Sequence, residues 1–264
     1  MSEVVSYEVV DRVAHVTIER PEVKNAMSLE VFDQLTDRAE QAAADDRVGA
    51  VLVRGRDGVF SSGLDVSVFA AHDSAEDGEE ELTGEGFIAR LQRAFTAYED
   101  IDKPTVACIE GYCFGGGIQL AAACHLRAVA PDAQLSVLEA RWALVPDLGG
   151  SWRLPRLVGL GRATELTLTA RRVDADEALA IGLAEWRLGG DDPVADAHER
   201  TAALAAGPGS VRRAPRLLRE NLERDRAAAL RVEAETQLAC LSGPDFTEAV
   251  TASLERRDPR FTGA

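Results

Sequence analysis

The chain has 264 residues, 46% hydrophobic and 28% charged, enough to bury a large core without disulfide or metal staples. It carries 45 acidic against 29 basic residues, a net charge of −16. That balance is the reverse of what neutralises a run of phosphates, so nucleic acid and an anionic membrane are excluded as partners, while a single small phosphorylated molecule is not.

In chain order, residues 4–10 and 13–18 are rich in Val, Ile and Thr around Asp11-Arg12 and predict a β-hairpin. Ser28 is placed to cap a helix running to about Ala44, with Leu29, Phe32, Leu35, Ala39 and Ala42 on one face. Val48 to Arg54 is a near-continuous apolar strand, as expected where helices cover both faces of a sheet. Residues 72–86 form an acidic, weakly hydrophobic run that reads as a solvated surface loop. Phe87, Ile88, Leu91, Phe95 and Tyr98 then mark an amphipathic helix. A strand over 105–110, a glycine turn, a helix over 116–124 and a strand over 126–130 imply an α/β layer structure. Asp174 with Glu177 has capping-box character. Past a boundary near 193, residues 194–257 are helical by pattern, broken at Gly207-Pro208-Gly209 and Gly243-Pro244.

Cys108, Cys113, Cys124 and Cys240 form no C-x-x-C pair and are read as reduced thiols of a cytoplasmic protein, three of them in apolar surroundings. No secretory leader or membrane span is expected. The histidines are scattered without metal-ligand spacing, and the nucleotide-loop and serine-hydrolase motifs do not occur.

Two glycine turns carry the chemistry. The first is Phe60-Ser61-Ser62-Gly63-Leu64-Asp65, after a buried strand. The second is Gly111-Tyr112-Cys113-Phe114-Gly115-Gly116-Gly117-Ile118-Gln119, opening a helix. Successive glycines at a helix start leave free N–H groups at the positive end of the helix dipole, suited to an anion. Two N–H groups from separate turns converging on one point would make an oxyanion hole.

These turns, with Arg20-Pro21-x-x-x-Asn25-Ala26, Lys103-Pro104, Glu139, Pro146-x-x-Gly149-Gly150 and the closing Glu255-Arg256-Arg257-x-Pro259-x-Phe261, resemble the enoyl-CoA hydratase/isomerase (crotonase) family over nearly the whole chain. The resemblance implies a crotonase-like spiral of ββα turns as a catalytic core over 1–193, and a C-terminal helical trimerisation region over 194–264. It implies an acyl-CoA substrate, no separate cofactor, and a homotrimer or dimer of trimers. The N–H groups of Leu64 and Gly116 would hold the thioester oxygen. Val23, Lys24, Ala26, Ser62, Leu64, Asp65, Val66, Gly115 and Gly116 would line the CoA moiety, and Arg256 or Arg257 would meet a CoA phosphate, within the subunit or across a subunit interface.

The carboxylates select the reaction. Where family hydratases align two glutamates, this chain has Gln119 and Glu139. Gln cannot take a proton at neutral pH, so it would orient substrate or water. Glu139, in an apolar setting, would shuttle a proton; pairing with Arg141 at the surface is its alternative. Asp147 would be a second acid or a cap for the helix starting near Gly149. The leading expectation is an enzyme that shifts the double bond of an enoyl-CoA. Hydration of a 2-enoyl-CoA is the runner-up, and a non-catalytic acyl-CoA-binding protein the third reading.

Overall fold

The computed structural model describes residues 3–68, 84–189 and 191–263. Its elements begin with β1 (Val5–Val10), β2 (Val13–Ile18), α1 (Leu29–Ala44), β3 (Ala50–Gly55), α2 (Gly84–Asp100), β4 (Thr105–Ile109), β5 (Tyr112–Phe114), α3 (Gly116–Ala123), β6 (Leu126–Val129) and β7 (Gln134–Ser136). They continue with α4 (Gly150–Val158), α5 (Leu160–Thr169), β8 (Val173–Asp174), α6 (Ala175–Ala180), β9 (Trp186–Arg187), α7 (Pro193–Ala205), α8 (Gly209–Asn221), α9 (Arg226–Leu241) and α10 (Pro244–Glu255).

The hairpin turns on Asp11 and Arg12, with φ of 48° and 65°, the positive values that a twist-matched two-residue turn requires. From β2 onward the main sheet is parallel, in the order β1-β2-β3-β4-β6-β9; in a small second sheet, β5-β7-β8, β5 pairs parallel and β8 antiparallel to β7. Alternation along β3 explains its continuous apolar run. Val51 and Val53 join Phe32 and Leu35 of α1 and Leu91 and Phe95 of α2, while Ala50 and Leu52 join Ala197 and Ala205 of α7. Helix α7 sits so close to the sheet that a Cβ on Gly49 would lie 2.5 Å from the Ala205 carbonyl oxygen. This is the α/β spiral architecture expected.

Local details follow their chemistry. Asp174 caps α6, its carboxylate accepting the Glu177 N–H at 2.9 Å. Ser28 occupies the N-cap position of α1 but makes no side-chain capping bond. Helix α2 starts at Gly84, so residues 84–86 of the acidic run are helical rather than loop; Glu85 in its first turn complements the helix dipole. The rest of that run, 72–83, and Phe69 lie outside the described residues. Cys108, Cys113 and Cys124 are buried, and burial pushes the thiols of Cys108 and Cys124 up to about 12.

The last three helices bury little of themselves: Gly209 on α8, nothing on α9, Asp245 and Ala252 on α10. Leu218, Leu222, Leu230, Leu238 and Leu254 are exposed. Arg219 ties α8 to the end of α2, donating to the Glu99 carbonyl and pairing with Asp100 at 3.0 Å. No helix among the described residues is long and apolar enough to cross a membrane.

Candidate active site

The two glycine turns are stitched together by backbone pairing. The Ser61 N–H donates to the Tyr112 carbonyl at 2.8 Å, and the Phe114 N–H to the Ser61 carbonyl at 3.0 Å. On the other side, the Met27 N–H donates to the Gly63 carbonyl at 2.8 Å and the Asp65 N–H to the Met27 carbonyl at 2.9 Å. This pairing uses the groups either side of residue 64 and turns the Leu64 N–H away from Met27. The approach is close enough to demand glycine: Gly63 has φ +105°, and a Cβ there would lie 3.0 Å from the Phe114 carbonyl oxygen and 3.8 Å from the Gly116 nitrogen. Gly116 is the first residue of α3. Among the described residues, neither the Leu64 nor the Gly116 N–H has an acceptor. The structure thus brings the two turns into contact.

Helix α3 is buried along its whole length, which forces Gln119 to find partners inside the protein. Its amide nitrogen donates to Glu139 Oε1 at 2.6 Å. Its amide oxygen accepts the N–H groups of Leu148 and Gly150, both at 2.9 Å. Gly150 is required beside it, because a Cβ there would lie 2.7 Å from the Gln119 oxygen. Gln119 therefore faces the protein and does not line the cavity, contrary to the expectation that it meets substrate or water. It satisfies the free amides of the α4 start and holds one oxygen of Glu139.

Glu139 opens a 3-10 turn and is only 7% exposed. Its Oε2 is buried and has no hydrogen-bond partner. Burial raises its pKa, with the Gln119 bond acting against that rise and the charge of Asp147 adding to it. The surface pair with Arg141 is not formed: Arg141 is exposed and Glu139 turns inward. Asp147 is half-buried and its pKa is also raised by burial. It is not the cap of α4. That position belongs to Gly149, at φ +88°, with no side-chain capping bond, and the first free amide of the helix, that of Gly150, goes to Gln119. The segment around Asp147 is held from both sides. Gln92 donates to the Asp147 carbonyl at 2.6 Å, and Arg153, paired with Glu99 at 2.5 Å, donates to the Leu148 carbonyl at 3.1 Å.

A cavity of about 300 Å³ lies against these groups. It is lined by Ser62, Gly63, Leu64, Val66, Gly115 and Gly116 of the turns, by Glu139 and Asp147, and by an apolar wall of Phe87, Ile88, Leu91, Leu138, Trp142 and Leu144. Ile88, Leu91, Leu138 and Leu144 were not legible as lining residues; the apolar stripe of α2 was the available signal for the first two. Phe95 packs instead on Phe32, ring centroids 5.5 Å apart.

The other predicted binding residues sit beside this cavity or away from it. Val23 and Lys24 are exposed and Ala26 is buried, on a turn tied to the first loop by the Ser62 N–H donating to the Lys24 carbonyl at 2.9 Å. Lys24 Nζ lies 5.2 Å from the centre of the Tyr112 ring. Asp65 is a structural tie, pairing with Arg20 at 2.9 Å; its carboxyl is held below the usual range mainly by the Ser67 N–H. Asn25, part of the Arg20-Pro21-x-x-x-Asn25-Ala26 motif but given no role there, is buried at φ 55° and bonds the Arg20 N–H and the carbonyls of Arg56 and Val59. Arg257 is not at the cavity: Glu248 and Glu255 claim its guanidinium at 2.6 Å each. Arg256 is exposed at the end of α10.

Known proteins share this fold. The enoyl-CoA hydratase/isomerase family model matches residues 8–264. The mitochondrial methylglutaconyl-CoA hydratase of Mus musculus is 30% identical over 252 residues, covering 93% of this chain and 78% of that protein. The crystal structure of enoyl-CoA hydratase from Bacillus anthracis matches with a TM-score of 0.89 at 27% identity, over 99% of this chain and 100% of that one. A Thermobifida fusca YX structure in complex with CoA matches with a TM-score of 0.80 at 33% identity, over 90% of this chain and 93% of that one. With a family match across almost its full length and the same fold in solved relatives, this chain belongs to the enoyl-CoA hydratase/isomerase family.

Proposed function

We propose that the protein binds an acyl-CoA thioester and shifts the double bond of an enoyl-CoA. The proton next to a thioester carbonyl is weakly acidic, and its removal puts negative charge on the thioester oxygen. The N–H groups of Leu64 and Gly116 receive that oxygen, and the loss of one such donor typically costs about 3–4 kcal/mol of transition-state stabilisation. Glu139 Oε2 takes the proton from C2 of a 3-enoyl thioester. The C–H electron pair becomes the C2–C3 double bond, the former C3–C4 double bond becomes a bond to the returned proton at C4, and the atoms balance with no external reagent. Asp147, kept toward its neutral form by burial, supplies a second acid at the same cavity.

The observation that carries this reading is the single unpartnered oxygen of Glu139, beside a Gln119 that can neither give nor take a proton at neutral pH. Hydration of a 2-enoyl-CoA is the second reading, favoured by Glu139 and Asp147 sharing one cavity, where a water could meet both carboxyls. The chemistry in either case is acid–base and asks for no cofactor beyond the CoA thioester of the substrate. The exposed leucines of α8–α10 support association into a homotrimer or a dimer of trimers.

The test offers a 3-enoyl-CoA and a 2-enoyl-CoA in deuterated solvent. Isomerisation of the first, abolished in Glu139→Gln, is expected. Hydration of the second with the first untouched transfers the assignment to the hydratase reading. Binding with no exchange of the α-proton leaves an acyl-CoA-binding protein without chemistry.

A further inference from the structure

The charge of the cavity wall goes further than the reaction. Among the described residues, no Lys, Arg or His lines the cavity, and its only ionisable side chains are the two acids Glu139 and Asp147. Three cations of the surrounding elements are held by carboxylates, and Arg141, beside the lining Trp142, is exposed and does not line the cavity. Arg90 on α2 pairs with Asp33 at 2.6 Å, Arg153 with Glu99 at 2.5 Å, and Arg20 with Asp65 at 2.9 Å.

We propose that this site takes acyl chains ending in hydrocarbon and rejects those ending in a carboxylate. The inference rests on the reading of the cavity as the acyl site. A terminal carboxylate entering this wall would lose its water, find no cation among the described lining residues and meet the negative charge of the Glu139 base, which disfavours it. A hydrocarbon end gains instead from contact with Phe87, Ile88, Leu91 and Trp142. The distinction sets this chain apart from its mouse relative, whose name is that of a thioester of a dicarboxylic acid.

Saturated thioesters cannot react at the double bond, so they read binding alone. Titration calorimetry compares hexanoyl-CoA with adipoyl-CoA, which has the same number of carbons and a terminal carboxylate, with free CoA as the reference. Hexanoyl-CoA is expected to bind at least about 100-fold more tightly, about 2.7 kcal/mol at 1.36 kcal/mol per tenfold. Leu144→Lys, on a half-exposed wall position that tolerates a long side chain, is expected to narrow the ratio at least about tenfold, an effect that fades as salt is raised. Equal binding of the two thioesters by the native protein overturns the proposal, as does a Leu144→Lys ratio that stays put. If adipoyl-CoA binds equally while the enoyl double bond still moves, only the specificity fails. If hexanoyl-CoA is selected while no enoyl-CoA reacts, the catalytic reading fails and the specificity stands. Binding of neither overturns both.

Discussion

Replacing Gln119 by Glu probes the site at one atom. The new side chain keeps its length and an acceptor oxygen for the Leu148 and Gly150 amides, but loses the N–H that meets Glu139 Oε1 at 2.6 Å. Two full charges 2.6 Å apart repel by roughly 6 kcal/mol at an effective dielectric of about 20. Side-chain movement and water entry reduce that figure, and about 2 pK units remain, in line with carboxyl pairs that share one proton. In the native protein Glu139 must be ionised to act as a base, and burial already moves its titration above the ordinary carboxylate range. The acid limb of kcat/KM therefore lies above that range, and in Gln119→Glu it moves up by about 2 further units. A carboxyl whose folded pKa is raised loses stability as pH rises toward that pKa, so the variant's stability falls over the same interval. Rates measured from pH 5 to 9 with a 3-enoyl-CoA, beside urea denaturation at each pH, read both effects. A limb that stays in place would show that Gln119 does not hold the base, or that Glu139 is not the base.

Two further outcomes follow from other parts of the structure. Arg153→Met strips the cation from the half-buried Glu99 and the donor from the Leu148 carbonyl, and is expected to cost about 3–5 kcal/mol in chemical denaturation; a loss below about 1 kcal/mol refutes the role given to the pair. Burial lowers His15 and His125 to about 4. For a base with a depressed folded pKa, stability is complete above the ordinary value of 6.5 and is lost as pH falls toward 4, by up to about 3 kcal/mol for each group. Urea midpoints of the native protein and His125→Asn between pH 7 and 4.5 should diverge, the native protein losing more; parallel curves contradict this.

Much of the framework was legible because it rests on short-range chemistry. Asp11-Arg12 between two Val-rich runs, the apolar β3, and Asp174 three residues before Glu177 each state their own structure. The meeting of the two glycine turns was legible only through the resemblance, since what requires Gly63 is the carbonyl of Phe114, 51 positions away in the chain. Gln119 was misread for a related reason. Its type announced that it was not a base, but whether its amide faced a substrate or the α4 start depended on long-range packing. Asp147 looked like a cap because Asp often caps, but the helix begins two residues later than it could reach as N-cap, with Gly149 in that position. The pairing of Arg257 with Glu248 and Glu255 was not read either, since it depends on how the chain end folds back along α10.

The two unpaired amides at Leu64 and Gly116 belong to the main chain, and that has a consequence for how such a protein can change. No amino-acid exchange deletes a peptide N–H except one to proline. Side chains at 119, 139 and 147 can therefore drift, and the reaction with them, while the amides proposed to hold the thioester oxygen are inherited intact. The vulnerable positions for that part are the glycines that shape it, where a single added methyl group would displace the backbone.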